Sequence, residues 1–405
     1  MAIKPMLLYN GQLILADRLV PDGWLLLADG LILALGEGRP PLPLLDGTGT
    51  WAADVIDLAG RLVAPGLIDI HTHGAGGADF MDGTAEAWAT IARTHARHGT
   101  TALLATTLTS TAAALDRTIQ VWQDWRAGGA CLDGATILGL HLEGPYFAHA
   151  QRGAQDPRYL RLPDPAEYRT LIDTVPGIRR WSAAPELPGA LEFGDYCASR
   201  GILVAMAHTD ALYEDVLLAV RHGYTLVTHL YSAMSTVRRV DGLRHGGVIE
   251  SALLLDELSV EVIADGRHLP DELLQLIYRC KGRSRIALIT DSMRAAGQTV
   301  QTSLLGNLDD GMPVIIRDGV ARLPDGSALA GSIATAERLL QTICQAGISL
   351  VDAVAMLTET PARLLGCTQK GALAVGRDAD LVVLAADLSV CRTVIGGRTV
   401  FTDEL

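Results

Sequence analysis

Between residues 62 and 293, apolar runs of strand length alternate with segments whose apolar residues recur every three or four positions. Eight runs read as buried strands: 62–73, 100–108, 135–144, 180–186, 202–210, 225–234, 259–268 and 285–293. Helical spacing occupies most of the gaps, at 84–98, 112–126, 164–175, 212–222, 248–258 and 271–279. The last of these follows Pro270 and begins Asp271-Glu272, the acidic first turn that favours a helix N-terminus. Two further helical stretches, 333–346 and 350–365, extend the pattern. Eight strand–helix alternations over this length predict an α/β fold of the TIM-type (β/α)8 class rather than an open doubly wound sheet. No GxGxxG or Walker A stretch supports a nucleotide-binding fold.

The two chain ends follow a different pattern. Short apolar segments at 6–9, 13–16 and 24–27 are punctuated by Gly11, Asp22-Gly23, Asp29-Gly30 and a proline stretch at 40–43. Residues 379–384, 392–395 and 398–401, with Gly396-Gly397 among them, repeat that pattern at the other end. Chain termini commonly lie close together. The expectation is therefore a small β-sandwich domain assembled from residues 1–60 and 367–405, flanking a barrel at 61–366.

Composition narrows the functional classes. The 405 residues are 49% hydrophobic, enough for a large buried core. A formal net charge of −13 argues against a nucleic-acid surface. An anionic small molecule stays open, because one or two local arginines can hold a phosphate. Six scattered cysteines with no CxxC spacing fit neither a disulfide framework nor a cysteine zinc site. No signal-peptide pattern and no uncharged run of membrane-spanning length is evident, so a cytoplasmic protein without a membrane partner is expected.

Catalytic groups of such barrels sit at the C-terminal ends of the strands. Those ends carry His71 and His73, then Glu143, Glu186, His208, His229, His268 and Asp291. One polar residue at a strand end is ordinarily a local hydrogen bonder; seven of eight strands ending in histidine or an acid is a different matter. Histidine and carboxylate ligands without cysteine favour Zn²⁺ or Fe²⁺, with Mn²⁺ or Co²⁺ also accommodated. His71 and His73, two apart on one strand, face the same way and define one candidate metal site. Glu143, His208 and His229 define another, with Glu143 able to bridge the two. Asp291 is the candidate general base and an additional metal ligand. His141 shares a face with Glu143 and is expected behind the ligands rather than among them. His95, His98, His149, His222 and His245 fall on predicted helices or loops and are expected at the surface.

These stretches, together with His141-Leu142-Glu143-Gly144-Pro145-Tyr146, Ala264-Asp265-Gly266-Arg267-His268 and Leu329-Ala330-Gly331-Ser332, resemble N-acetylglucosamine-6-phosphate deacetylases of the amidohydrolase superfamily over nearly the whole chain. The resemblance implies hydrolysis of an N-acetyl group on an amino-sugar 6-phosphate, with one or two divalent metals. Glu143, His208 and His229 would hold the principal ion, and His71 with His73 a second. Asp291 would relay the proton, with His268 contacting the substrate carbonyl. Ser232, Ala233 and the Leu329-Ala330-Gly331 backbone would contact the sugar. Arg239 would bind the phosphate across the interface of a homodimer.

Three departures from the family pattern stand out. Ser232 replaces the usual asparagine, and Gln155 replaces a histidine near the phosphate site with a neutral amide. Ala207, before His208, replaces a glycine and should leave the ligand in place. The first two departures keep open a different amide or ring substrate for the same chemistry. A non-catalytic barrel scaffold is the reading from another class, but a scaffold has no need of the ligand set.

Overall fold

A computed structural model describes residues 4–40, 53–129, 131 and 133–403. The expected turn at 40–43 lies outside them beyond Pro40. Eight parallel strands run in chain order round the barrel: β1 (Leu67–Thr72), β2 (Thr100–Thr106), β3 (Thr136–Glu143), β4 (Ile178–Ala183), β5 (Leu203–Met206), β6 (Tyr224–Val227), β7 (Ser259–Ile263) and β8 (Ile286–Ile289). Just past β8 the barrel closes: the Asp291 amide donates to the His71 carbonyl (2.9 Å) and the His73 amide to the Ser292 carbonyl (2.9 Å). The parallel bridge Thr72–Ser292 marks the same seam.

The strands are apolar on both faces, as expected where one face fills the barrel and the other meets helices. Ile68, Ile70, Leu104, Ala205, Leu226, Ile263 and Ile289 fill the interior. Outward residues join a larger core under the helices. The first helix, α1 (Ala85–Arg97), shows the local logic. The Thr84 side chain accepts from the Ala87 amide (3.2 Å), and Trp88, Ile91 and Ala92 form its fully buried face. Each such large apolar side chain contributes roughly 1.5–3 kcal/mol by leaving water.

Both chain ends do meet, in one eight-stranded sheet. Leu62–Pro65 pairs in parallel with Met6–Ile14 and antiparallel with Leu381–Leu384, and the sheet carries its own apolar core. The apolar run 62–73 is thus two strands, broken at Gly66. A Cβ there would fall 2.1 Å from Thr101 Oγ1, so a side chain would prevent this close turn into the barrel.

Three features went unread in the sequence. A helix at Ala190–Ser199 fills the gap between β4 and β5. A three-stranded sheet (Thr302–Leu305, Met312–Arg317, Val320–Arg322) follows β8 and packs Leu305, Val314 and Ala321 against Met293 and Ala330. A hairpin, Arg238–Val240 with Leu243–His245, stands exposed after β6. The segment 350–365 divides at Thr358 into Leu350–Leu357 and Glu359–Leu364. No helix among the described residues is long and apolar enough to cross a membrane.

Candidate metal centre and substrate cavity

Six strand-end side chains converge at the C-terminal mouth of the barrel. Two groups of three each bring their ligand atoms within 4.8 Å of one another: His71, His73 and Asp291; and Glu143, His208 and His229. Glu143 ties them together. Its Oε1 lies 3.2 Å from His229 Nε2, 3.4 Å from His208 Nε2 and 3.5 Å from His71 Nε2. Its Oε2 lies 3.3 Å from His73 Nε2. Asp291 Oδ1 sits 3.4 Å from His71 Nε2 and 3.2 Å from His73 Nε2.

Backbone conformation delivers three of these groups. His208, His229 and Asp291 each stand two residues beyond a strand and each has positive φ, at 46°, 29° and 45°. This region is unfavourable for residues with a Cβ, at a cost of roughly 1–3 kcal/mol each. The strain turns the side chains inward over the barrel mouth.

The imidazoles are oriented from behind. The His208 Nδ1–H donates to the Gln151 carbonyl (2.9 Å), which leaves Nε2 for the centre. His71 Nδ1 lies 3.3 Å from Glu261 Oε2, and its Nε2, buried without a hydrogen-bond partner, points at Glu143 and Asp291. Glu261 on β7 is itself paired with Arg180 on β4, both fully buried. Burial opposes the Glu261 charge, but Arg180 overrides it and holds the carboxyl below its usual range. Arg180 also donates to Thr228 Oγ1 (2.9 Å) and the Ile70 carbonyl (3.0 Å). Neither residue of this pair was anticipated; for Glu261 a lone charge inside an apolar strand was the available signal.

The centre suits a divalent cation. Burial opposes charging either His71 or His73, yet the carboxylates of Asp291 and Glu143 lift His71 to about 9 and His73 to about 10. The field that holds protons on those nitrogens favours a metal in their place, since proton and cation compete for the same lone pairs. Neutral nitrogen and carboxylate oxygen are the donors that Zn²⁺ or Fe²⁺ accepts.

Above the centre opens a cavity of about 520 Å³. His73, Glu143, His208, His229 and Asp291 form its floor, and Gln151–Gln155, Tyr231–Ala233, His268, Leu329 and Gly331 line its walls. The His268 ring is fixed by Asp265, whose Oδ2 lies 2.8 Å from Nδ1 while its Oδ1 accepts the amides of residues 267 and 268. His268 Nε2 is left for the cavity. Gly331 lies against Asp291: a Cβ there would come within 2.8 Å of the Asp291 carbonyl, and φ is +68°.

The other anticipated residues separate. Ser232, Ala233, Leu329 and Gly331 line the cavity, but Ala330 is buried with its amide given to the Ala321 carbonyl (3.0 Å). Gln155 is buried against Glu143, with Nε2 2.8 Å from Oε2. Arg239 sits on the exposed hairpin away from the cavity of its own chain. Arg152, not anticipated, is the lone arginine or lysine among the described residues lining the cavity. Glu186 falls three residues beyond β4 and holds Thr209 Oγ1 and the Asp210 amide, each at 2.6 Å, and so steadies the turn after His208.

His141 lies apart from the six-residue cluster's shared contacts, its nitrogens engaged by Thr106 Oγ1 (3.2 Å) and Ser182 Oγ (2.8 Å). His95 overturns its surface assignment. It is 2% exposed and lies 3.0 Å from Thr72 Oγ1, because α1 packs that face onto the first strand.

The amidohydrolase family model matches residues 62–400. The chain belongs to the amidohydrolase family. Among its relatives, N-acetylglucosamine-6-phosphate deacetylase of Bacillus subtilis is 32% identical over 99% of this chain and 98% of its own. N-acetylgalactosamine-6-phosphate deacetylase of Escherichia coli O157:H7 is 30% identical over 94% of this chain and 96% of its own. A mutant N-acetyl-D-glucosamine-6-phosphate deacetylase from Mycobacterium smegmatis, solved with N-acetyl-D-glucosamine-6-phosphate, superposes with a TM-score of 0.88 at 32% identity. That match covers 98% of this chain and all of the other. The barrel of this amidohydrolase and the eight-stranded sheet beside it are therefore shared with enzymes named for deacetylating amino-sugar phosphates.

Proposed function

We propose that this amidohydrolase removes the acetyl group from an N-acetylated amino-sugar 6-phosphate, N-acetylglucosamine 6-phosphate first among them, releasing acetate and the amino-sugar phosphate. The carrying observation is that two clusters able to ligate a metal meet at Glu143 on a cavity floor where Asp291 and His268 both reach the space above. Zn²⁺ or Fe²⁺, one or two ions per chain, would be held by Glu143, His208 and His229 and by His71, His73 and Asp291. A bound ion supplies Lewis acidity toward the amide carbonyl and a water acidic enough to attack at neutral pH.

The protein's own groups complete the reaction. Asp291 takes a proton from the attacking water as its oxygen bonds to the acetyl carbon. It returns that proton to nitrogen as the C–N bond breaks. His268, its Nδ1–H held by the Asp265 carboxylate, turns Nε2 toward the acetyl group of the substrate and helps to orient it. Leu329, Gly331, Ser232 and Ala233 shape the sugar subsite. Arg152 meets the phosphate at the cavity mouth, and Arg239 from a second copy in a homodimer adds to it. The enzyme would serve amino-sugar metabolism in the cytoplasm.

Acetate release from N-acetylglucosamine 6-phosphate, its galactosamine epimer and the unphosphorylated sugars, with and without a chelator, tests the proposal. Chelator-sensitive release from a phosphorylated sugar supports it. No acetate from any of them favours the second reading, a different amide or ring substrate, for which the short Ser232 side chain leaves room.

A further inference from the structure

Gln155 stands where a residue near the phosphate site was expected, yet its amide is committed elsewhere. It is 5% exposed, and its Oε1 accepts the Thr109 backbone amide at 3.0 Å. A backbone N–H can only donate, so the oxygen must face Thr109 and the amide nitrogen must face Glu143. Nε2 then donates to Glu143 Oε2 at 2.8 Å, closer than the 3.3 Å from that oxygen to His73 Nε2. The carboxylate is thereby divided. Oε1 faces His208 and His229, with His71 Nε2 at 3.5 Å, and has no amide donor on it, whereas Oε2, which faces His73, already accepts a hydrogen bond.

We propose that Gln155 is a positioning residue that grades the two metal clusters: by holding Glu143 Oε2 it makes Glu143–His208–His229 the tight site and His71–His73–Asp291 the weaker one. A hydrogen bond to a carboxylate oxygen occupies a lone pair and lowers the oxygen's basicity toward a cation on the same side. A neutral amide does this without cancelling the charge of Glu143, so the second site is weakened and not abolished. A cationic residue at position 155 would instead compensate the carboxylate outright.

The inference rests on reading the clusters as metal sites, and its test needs no substrate. The full chain is dialysed against buffers of graded free Zn²⁺ and bound zinc is counted by elemental analysis. Wild type is expected to fill in two steps whose midpoints differ by at least about tenfold, a difference of about 1.4 kcal/mol. In Gln155→Met, which keeps the volume without the donor, the second midpoint should move toward the first by several-fold. Gln155→Leu should behave alike, with thermal unfolding confirming that both variants are folded. Simultaneous filling of both sites in wild type overturns the proposal whatever the variants do. Unchanged midpoints in the folded variants, or equal weakening of both, also overturn it. Absence of zinc from wild type defeats the metal reading itself, whereas two graded steps without any acetate release leave Gln155 in this role and defeat only the substrate assignment.

Discussion

Asp291 and His71 are joined twice: the Asp291 amide donates to the His71 carbonyl at 2.9 Å, and Asp291 Oδ1 lies 3.4 Å from His71 Nε2. One contact closes the barrel and the other places the proposed proton carrier beside a proposed metal ligand. The two functions are separable, because the first uses only backbone. Asp291→Asn should therefore fold normally, retain the ion held by Glu143, His208 and His229, and lose about 10³-fold in turnover. Acetate release, zinc content and thermal unfolding measured on one preparation check this. Turnover near wild type in the folded, metal-loaded variant would remove Asp291 from its role.

The buried Glu261–Arg180 pair predicts a combined defect. Glu261→Gln leaves the Arg180 guanidinium uncompensated inside the barrel, at a cost of about 3–5 kcal/mol in folding stability. It also withdraws the carboxylate facing His71 Nδ1, which should weaken metal binding by about 10- to 100-fold. Denaturant unfolding and a zinc titration read the two effects separately.

That pair marks where sequence reading stopped. The eight strands and the His71, His73, Glu143, His208, His229 and Asp291 constellation were legible because apolar runs and strand-end polarity are local signals. Glu261 and Arg180 sit mid-strand, and their value depends on two strands facing each other across the barrel, which no local pattern encodes. The hairpins were legible in principle. Asp241-Gly242 and Asp318-Gly319 both take positive φ, the signature of a two-residue hairpin turn, as does Asp29-Gly30 in the N-terminal segment. The strands flanking the turns at Asp241-Gly242 and Asp318-Gly319 are only three to six residues long and largely exposed, so no apolar alternation announced them. Gln155 was visible as a departure, but its partner Glu143 emerged only from the fold.

Arg152 predicts a phosphate-dependent effect. Arg152→Ala should raise KM for a phosphorylated substrate about tenfold, the low end for a charge-assisted contact made by an exposed side chain. kcat should stay nearly constant, since the group lies away from the reacting carbonyl. Activity on the unphosphorylated sugar should not change. Equal losses on both substrates would show that Arg152 acts on the loop and not on the phosphate.

His95 gives the fold a dependence on pH. Burial, with the nearby His98 adding to it, pushes its pKa down to about 3, against about 6.5 in an unfolded chain. The folded value is depressed, so above pH 6.5 the ring is neutral in both states and nothing is lost. As pH falls below 6.5 the unfolded chain takes up a proton that the folded chain refuses, and stability declines until about pH 3. Between pH 6.5 and pH 5 this amounts to about 2 kcal/mol. His95→Gln keeps a polar group near Thr72 without the titration. The variant should lose about 2 kcal/mol less stability than wild type on going from pH 7 to pH 5, measured by urea unfolding at each pH. A wild-type-sized loss in the variant would mean that other groups carry the acid sensitivity and that His95 does not titrate across the folding equilibrium.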